Sequence, residues 1–284
     1  SAASDVYKRQ GFFYDQLRTS DGATVPVKVR SMVGVIPLLA TALVHESAID
    51  HAETLGKKAA TLVRQKHGEG AEPASHLEKV RGEPGHRQFL LSVVTLDQLR
   101  RVLNALLDED EFLSPGGLRS LSQRYRGHPY ELTVGGTTSS IDYEPAESTT
   151  AMFGGNSNWR GPVWFPLNYL LVDCLASFHD FYGDELRVEY PTGSGTVRDL
   201  GAVATDLRRR LVSLFLVGPD GRRPCFGGVE RMQTDPAWRD HVLFNEYFNG
   251  DNGAGLGASH QTGWTGVVAD LICTRGRAEP ERKL

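Results

Sequence analysis

The stretch LNYLLVDCLASF, residues 167–178, carries the pattern that decides the fold class of this chain. Its apolar side chains recur at intervals of three and four residues, namely Leu167, Leu170, Leu171, Cys174, Leu175 and Phe178. This spacing puts them on one face of a helix, and such a face packs against other apolar surface. The stretch therefore predicts a long helix that contributes to a helical core.

The same spacing recurs in segments 96–106, 200–214 and 264–272. Thr95 and Gln98 match a capping box at the start of the first of these segments. Two weaker helices are predicted at 31–47, where Pro37 marks a start or a kink, and at 49–66. Six helices in total indicate an all-α fold.

Long connections rich in glycine, proline and asparagine separate these helices, at 67–94, 109–160, 183–197 and 217–258. Several exceed the roughly 12 to 15 residues of a loop without a function of its own. Short runs such as YELTV at 130–134 are expected to form hairpins within them. We therefore expect the functional residues to lie in these connections.

Composition excludes several classes of protein. The chain has 284 residues, a net charge of −4 and no apolar run near the ~18 residues of a membrane span. Its basic clusters are short, so neither nucleic acid nor a membrane is an expected partner. Its three cysteines lack metal-ligand or disulfide spacing, which favours unpaired thiols in a reducing, cytoplasmic setting. No metal and no cofactor are predicted.

The two ends of the chain do not look like parts of a folded domain. In the first ten residues, DVYKRQ resembles the translation of a sequencing adapter, so residues 1–10 are predicted to be an adapter-derived scar. Residues 276–284 are charged and are expected to be a frayed tail. The intervening residues 11–275 are expected to form one unit.

The segment NSNWRGPVWFPL, residues 156–167, concentrates residues that suit a sugar pocket. Trp159 and Trp164 offer flat faces that can stack on sugar rings, and Arg160 offers a rigid fork of donors. The alternative is the start of a helix, with the tryptophans as core anchors and a proline in the first turn. The residues alone leave both interpretations open.

Three carboxylates are candidates for acid–base chemistry. Glu144 and Glu147 lie in DYEPAEST, on a loop that contains a proline, where solvated carboxylates are common. Glu246 lies between Phe244 and Tyr247, where partial desolvation can adjust a carboxylate to take or give a proton.

Taken together, these blocks resemble glycoside hydrolase family 63 in its long bacterial branch. The similarity extends in family order over nearly all of residues 11–274, through GFFYD, VKVRSMVGVIPL, FLSPGGLRSLS, DYEPAEST, FGGNSNWRGPVWFPLNYLL, YPTGSG and EYFNGDNGAGLGASHQTGWTG. The resemblance implies an (α/α)6 toroid, and activity either as a processing α-glucosidase or as a hydrolase of mannosylglycerate or glucosylglycerate.

For the site, the resemblance implies that Glu246 is the general base of an inverting glycosidase. It also implies that Trp159, Arg160 and Trp164 bind substrate, with Trp264 as the closing aromatic, and Glu147 is a further candidate for substrate binding. The family's acid is an aspartate in a block upstream of GFFYD, and these 284 residues contain no counterpart.

We therefore expect an incomplete toroid, the C-terminal part of the catalytic domain. Its partners would be a carbohydrate substrate and the missing N-terminal part of the same polypeptide, and alone it would be nearly inactive. Two alternatives stay open. One is a glucosylglycerate or mannosylglycerate hydrolase, whose substrate carboxylate would need a cation beyond Arg160. The other is a noncatalytic carbohydrate-binding α-helical protein, which would keep the tryptophans and have no need of Glu246.

Overall fold

The computed structural model describes residues 12–46, 78–147, 149 and 160–273. The helix expected at 49–66, residues 1–10, Trp159 and the tail 276–284 lie outside this part of the chain. Within it, no helix is both long enough and apolar enough to cross a membrane.

Three long helices build the core. They are α1 (Leu96–Leu106), α2 (Phe165–Tyr182) and α3 (Leu200–Ser213), and two short helices follow, α4 (Glu230–Thr234) and α5 (Val268–Cys273). The apolar faces that the sequence predicted for the three long helices are confirmed except at Leu170, which is 46% exposed, because most of their side chains belong to one buried cluster. Examples are Leu103, Leu175 and Leu207, each at most 1% exposed.

The ends of these helices follow from their sequences. Thr95 and Gln98 form the capping box at the start of α1, as predicted. Pro166 occupies the first turn of α2, where its missing N–H costs no helical hydrogen bond. The side chain of Asp199 accepts a hydrogen bond from Ala202 N at 2.8 Å and so caps α3.

The remaining described residues contain thirteen short strands. They are β1 (Asp15–Arg18), β2 (Thr24–Val27), β3 (Thr41–His45), β4 (Glu78–Arg81), β5 (Gln88–Ser92), β6 (Leu113–Ser114), β7 (Gly117–Leu118), β8 (Tyr130–Val134), β9 (Thr137–Ile141), β10 (Arg187–Glu189), β11 (Val197–Asp199), β12 (Tyr247–Phe248) and β13 (Gly255–Leu256). Strands β3, β5 and β4 form an antiparallel sheet in that order, and the others pair as consecutive hairpins.

The described residues are therefore not purely all-α, because small sheets accompany the helices, although several of the hairpins lie in the connections where short hairpins were expected. The helix expected at 31–47 is a 3-10 helix, Met32–Leu39, followed by β3. Pro37 lies inside the 3-10 helix, and the run around it is apolar at nearly every position, so no period distinguished helix from strand. The last helix is also shorter than 264–272, since α5 begins only at Val268.

The hairpin expected at 130–134 is confirmed by the pairing of β8 with β9. The incomplete (α/α)6 toroid stays a prediction. The described part is helical at its centre, with α2 packed along α3, and its small sheets lie in the connections.

Asn168 joins the first turn of α2 to β7 and is 1% exposed. Its Oδ1 accepts from Leu118 N at 2.7 Å, and its Nδ2 donates to Leu118 O at 3.0 Å.

Asn168→Ala would leave both buried groups of Leu118 without these partners, so we expect it to lower the free energy of unfolding by about 2 to 4 kcal/mol. Asn104→Ala, on the exposed face of α1, is the control and should change it by less than about 0.5 kcal/mol. Denaturant unfolding measures both, and equal losses would contradict the prediction.

Candidate active site

Three extended segments from distant parts of the chain form the floor of the candidate site. Val163 N donates to Phe248 O at 2.7 Å, and Phe248 N donates to Val163 O at 3.0 Å. On the other side, Val163 forms an antiparallel bridge with Arg119. The segment that begins at Arg160 and contains Val163 therefore lies between the segments of Arg119 and Phe248. Trp164 and Glu246 are close in sequence to Val163 and Phe248 and are placed near this pairing.

The loop that carries Glu144 and Glu147 docks on this floor. Glu144 N donates to Arg160 O at 2.7 Å, and Gly250 N donates to Pro145 O at 2.9 Å. The loop thus spans the segments of Arg160 and Gly250, although more than 100 residues separate Pro145 from Gly250 in the sequence.

Tyr143, next to this loop, fits into a space made by two glycines. A Cβ on Gly161 would lie 2.6 Å from a ring carbon of Tyr143, and one on Gly250 would lie 2.6 Å from its hydroxyl. The hydroxyl donates to Asp251 Oδ1 at 2.9 Å and accepts from Arg119 Nε at 3.1 Å. Tyr143 is 4% exposed, so the ring fixes the loop to both glycine segments.

Arg160 forms a buried ion pair. Its Nη1 lies 3.4 Å from Glu144 Oε1, and the two side chains are 3% and 16% exposed. Glu144 also accepts a hydrogen bond from Thr149 Oγ1 at 2.6 Å. The charge of Arg160 is thus balanced within the protein. The sugar contact expected of Arg160 stays a prediction.

Glu147 is held by two donors from the C-terminal block. Tyr247 OH donates to its Oε2 at 2.5 Å, and Gly257 N donates to its Oε1 at 3.2 Å. Burial raises the pKa of Tyr247, and the hydrogen bond to Glu147 and the negative charges of Glu147 and Glu246 raise it further. The hydroxyl therefore stays protonated, and remains a donor, at any pH near neutrality.

Glu246 is half-buried and lies against the same turn. Its backbone N donates to Ala258 O at 2.8 Å, and Ala258 N donates to its Oε2 at 3.3 Å. Among the described residues, no donor reaches its other oxygen, Oε1. Glu147 and Glu246 thus accept from the consecutive amides of Gly257 and Ala258, which puts two carboxylates beside one turn.

Two of the predicted aromatic residues are in contact. The rings of Trp164 and Trp264 meet edge to face, with centroids 5.7 Å apart and an interplanar angle of 74°. Trp264 is 37% exposed, so part of its surface is available to a ligand. Thr265 Oγ1 donates to Asn245 O at 2.5 Å and ties the segment of Trp264 to that of Glu246.

The structure thus links five predicted residues through contacts, namely Glu147, Arg160, Trp164, Trp264 and Glu246. The sequence did not single out Tyr143, Tyr247 or Asp251 as site residues. Within the described ranges, no group of three or more His, Cys, Asp or Glu side chains is arranged to hold a metal ion. The carboxylates of Glu147 and Glu246 suit proton transfer, and the exposed surface of Trp264, whose neighbour Thr265 donates to the residue before Glu246, suits stacking on a ring-shaped ligand.

Comparison with protein families points to the same chemistry. A model described as "Mannosylglycerate hydrolase MGH1-like glycoside hydrolase domain" matches residues 79–265, which is more than half of the chain. The matched range includes all five linked residues.

Three yeast proteins are similar to the chain. "Uncharacterized protein YMR196W" of Saccharomyces cerevisiae is 42% identical over 93% of this chain and 24% of that protein. "Mannosyl-oligosaccharide glucosidase" of the same yeast is 25% identical over 62% of the chain and 15% of that protein. "Probable mannosyl-oligosaccharide glucosidase" of Schizosaccharomyces pombe is 23% identical over the same shares. The chain therefore spans a quarter or less of the length of each.

Gly257 has a φ of +65° and no room for a side chain. A Cβ there would lie 2.8 Å from Glu246 Oε2 and 2.8 Å from a ring carbon of Tyr247, which is fully buried. We expect Gly257→Ala to cost roughly 1 to 2 kcal/mol for the left-handed backbone and about 1 to 3 kcal/mol more for the overpacking.

Gly135→Ala is a matched control, because Gly135 has a φ of +57° and nothing within 4 Å of the added Cβ. It should show the backbone cost alone. Urea unfolding of the two variants measures the difference in their free energies of unfolding. Similar losses of stability would mean that the turn at Gly257 can accommodate a methyl group beside Glu246.

Proposed function

Because the chain belongs to the family of mannosylglycerate hydrolase MGH1-like glycoside hydrolase domains, we propose that it is the C-terminal part of an inverting hydrolase of α-glucosides or oligosaccharides. Glu246 is its general base in this proposal. The mannosyl-oligosaccharide glucosidases among its relatives support a glucoside rather than another sugar as substrate.

The observation that carries the proposal is the setting of Glu246. Its carboxylate is half-buried, accepts one hydrogen bond from Ala258 N through Oε2, and has no protein donor at Oε1 among the described residues. A general base needs this arrangement, because one oxygen orients the group and the other takes the proton from a water. In an inverting glycosidase this water attacks the sugar from the face opposite the leaving group.

The general acid is proposed to lie outside these 284 residues. An inverting mechanism requires a second carboxyl group about 6.5 to 9.5 Å from the base, to protonate the glycosidic oxygen. Glu147 meets the same turn as Glu246, but both of its oxygens already accept hydrogen bonds from the protein. It is thus a poor donor of a proton to a leaving group.

The surroundings of the site favour a neutral sugar. Trp264, 37% exposed and in edge-to-face contact with Trp164, offers a surface for stacking on a pyranose ring. The charge of Arg160 is balanced by Glu144, and two further carboxylates lie beside the Gly257 turn. A glycerate carboxylate would meet repulsion here, which argues against the glucosylglycerate and mannosylglycerate alternative.

Glu246→Gln tests the role of the base. Glutamine keeps the size of the side chain and an acceptor for Ala258 N but takes no proton from water. In a polypeptide that carries this chain together with the acid, we expect kcat on an α-glucoside to fall ~10² to 10⁴-fold with little change in KM. Added azide should restore turnover, because a small anion can attack in place of the activated water.

Glu131→Gln is the control, since Glu131 is exposed on β8 and away from these contacts. Near-normal kcat in a well-folded Glu246→Gln protein would remove Glu246 from the mechanism. If the wild-type protein binds the sugar but does not hydrolyse it, the result would favour the noncatalytic carbohydrate-binding alternative.

The location of the acid gives a separate prediction. We expect the purified 284-residue chain to hydrolyse α-glucosides ~10² to 10⁴-fold more slowly than a polypeptide that also carries the upstream aspartate block. Initial rates of the two proteins at equal concentration measure this. Equal rates would place the acid within the chain.

A further inference from the structure

Glu147 connects the two backbone segments that hold Glu246. Its Oε2 accepts from the hydroxyl of Tyr247, the residue that follows Glu246. Its Oε1 accepts from Gly257 N, the amide that precedes Ala258 N, and Ala258 N donates to Glu246. One carboxylate therefore fixes the strand of the proposed base and also the turn that donates to this base.

The turn has little freedom to move independently of Glu246. Gly257 is in the left-handed region, and its Cα approaches both the Glu246 carboxylate and the Tyr247 ring so closely that no Cβ would fit. The backbone N–H of Glu246 donates a hydrogen bond to Ala258 O at 2.8 Å. A shift of the turn would thus move the amide that orients Glu246.

We propose that Glu147 is a positioning residue for Glu246, which it serves by tying Tyr247 and the Gly257 turn together. This inference rests on the proposed function of Glu246 as the general base. It differs from the direct sugar contact that the sequence suggested for Glu147, because each of its oxygens accepts a hydrogen bond from the protein. Glu147 is an exposed residue, and it nevertheless accepts both of these hydrogen bonds.

Kinetics of Glu147→Gln and Glu147→Ala test the proposal, in a polypeptide that carries this chain together with the acid. A misplaced base slows the chemical step and leaves sugar binding intact, so kcat should fall ~10 to 100-fold while KM stays within about twofold. Azide should not restore turnover, because Glu246 is still present. Tyr247→Phe removes one of the two bonds and keeps the ring, so its loss of kcat should be smaller. Glu131→Gln should match wild type.

Three kinetic results would overturn the proposal. A kcat within twofold of wild type in Glu147→Ala would show that the tether is not needed. A rise in KM that accounts for the loss of kcat/KM would make Glu147 a direct sugar contact. Rescue of Glu147→Ala by azide would make Glu147 itself the base.

A second measurement separates the tether from the proposed function. If the wild-type protein has no hydrolase activity, the role of Glu246 fails, and amide hydrogen exchange then decides whether Glu147 holds the turn. In Glu147→Ala, exchange at Ala258 should accelerate at least ~10-fold relative to Glu131→Ala, while exchange in α2 stays the same. Equal exchange at Ala258 in the two variants would overturn the positioning role.

Discussion

Val163 and Phe248 exchange two backbone hydrogen bonds, and the candidate site depends on this pair. On its far side Val163 meets Arg119, so three segments that are distant in sequence become neighbours at the ~4.8 Å spacing of strands. Arg160 lies three residues before Val163 and Trp164 directly follows it, and Glu246 lies two residues before Phe248. The helices supply the buried core, whereas this short pairing aligns the groups that carry chemistry.

The fold was predictable where apolar residues repeat at helical spacing over several turns. The faces of α1, α2 and α3 follow from apolar residues repeated over three or more turns, and the capping box at Thr95 marked the start of α1. Short hairpins were expected in the long connections, but strands of two to five residues show too little alternation to be located individually, so only the hairpin at Tyr130–Val134 was placed by residue number. Residues 32–39, which contain Pro37, are apolar at nearly every position, so the sequence did not distinguish a helix from other structure in the first part of 31–47.

For the site, the sequence indicated residue types and left their partners unknown. Glu147, Arg160 and Glu246 were identifiable as polar residues in unusual loops. That Glu147 meets Tyr247 could not be inferred, because 100 residues separate the two and no local pattern encodes such a contact. The same holds for Tyr143 and Asp251, which are 108 residues apart. Pairing of distant segments creates these contacts, so they become visible only in the folded chain.

The ring of Tyr143, enclosed by Gly161 and Gly250, has an evolutionary consequence. A Cβ on either glycine would lie 2.6 Å from the Tyr143 side chain, and it would lie even closer to a backbone oxygen, Glu144 O at 2.5 Å for Gly161 and Gly161 O at 2.4 Å for Gly250. A lineage that replaced either glycine first would lose the docking of the 144–147 loop before any compensating change arose. Both glycines should therefore persist even in homologues that have lost the tyrosine, because the backbone oxygens leave no room for alanine or serine at 161 or 250.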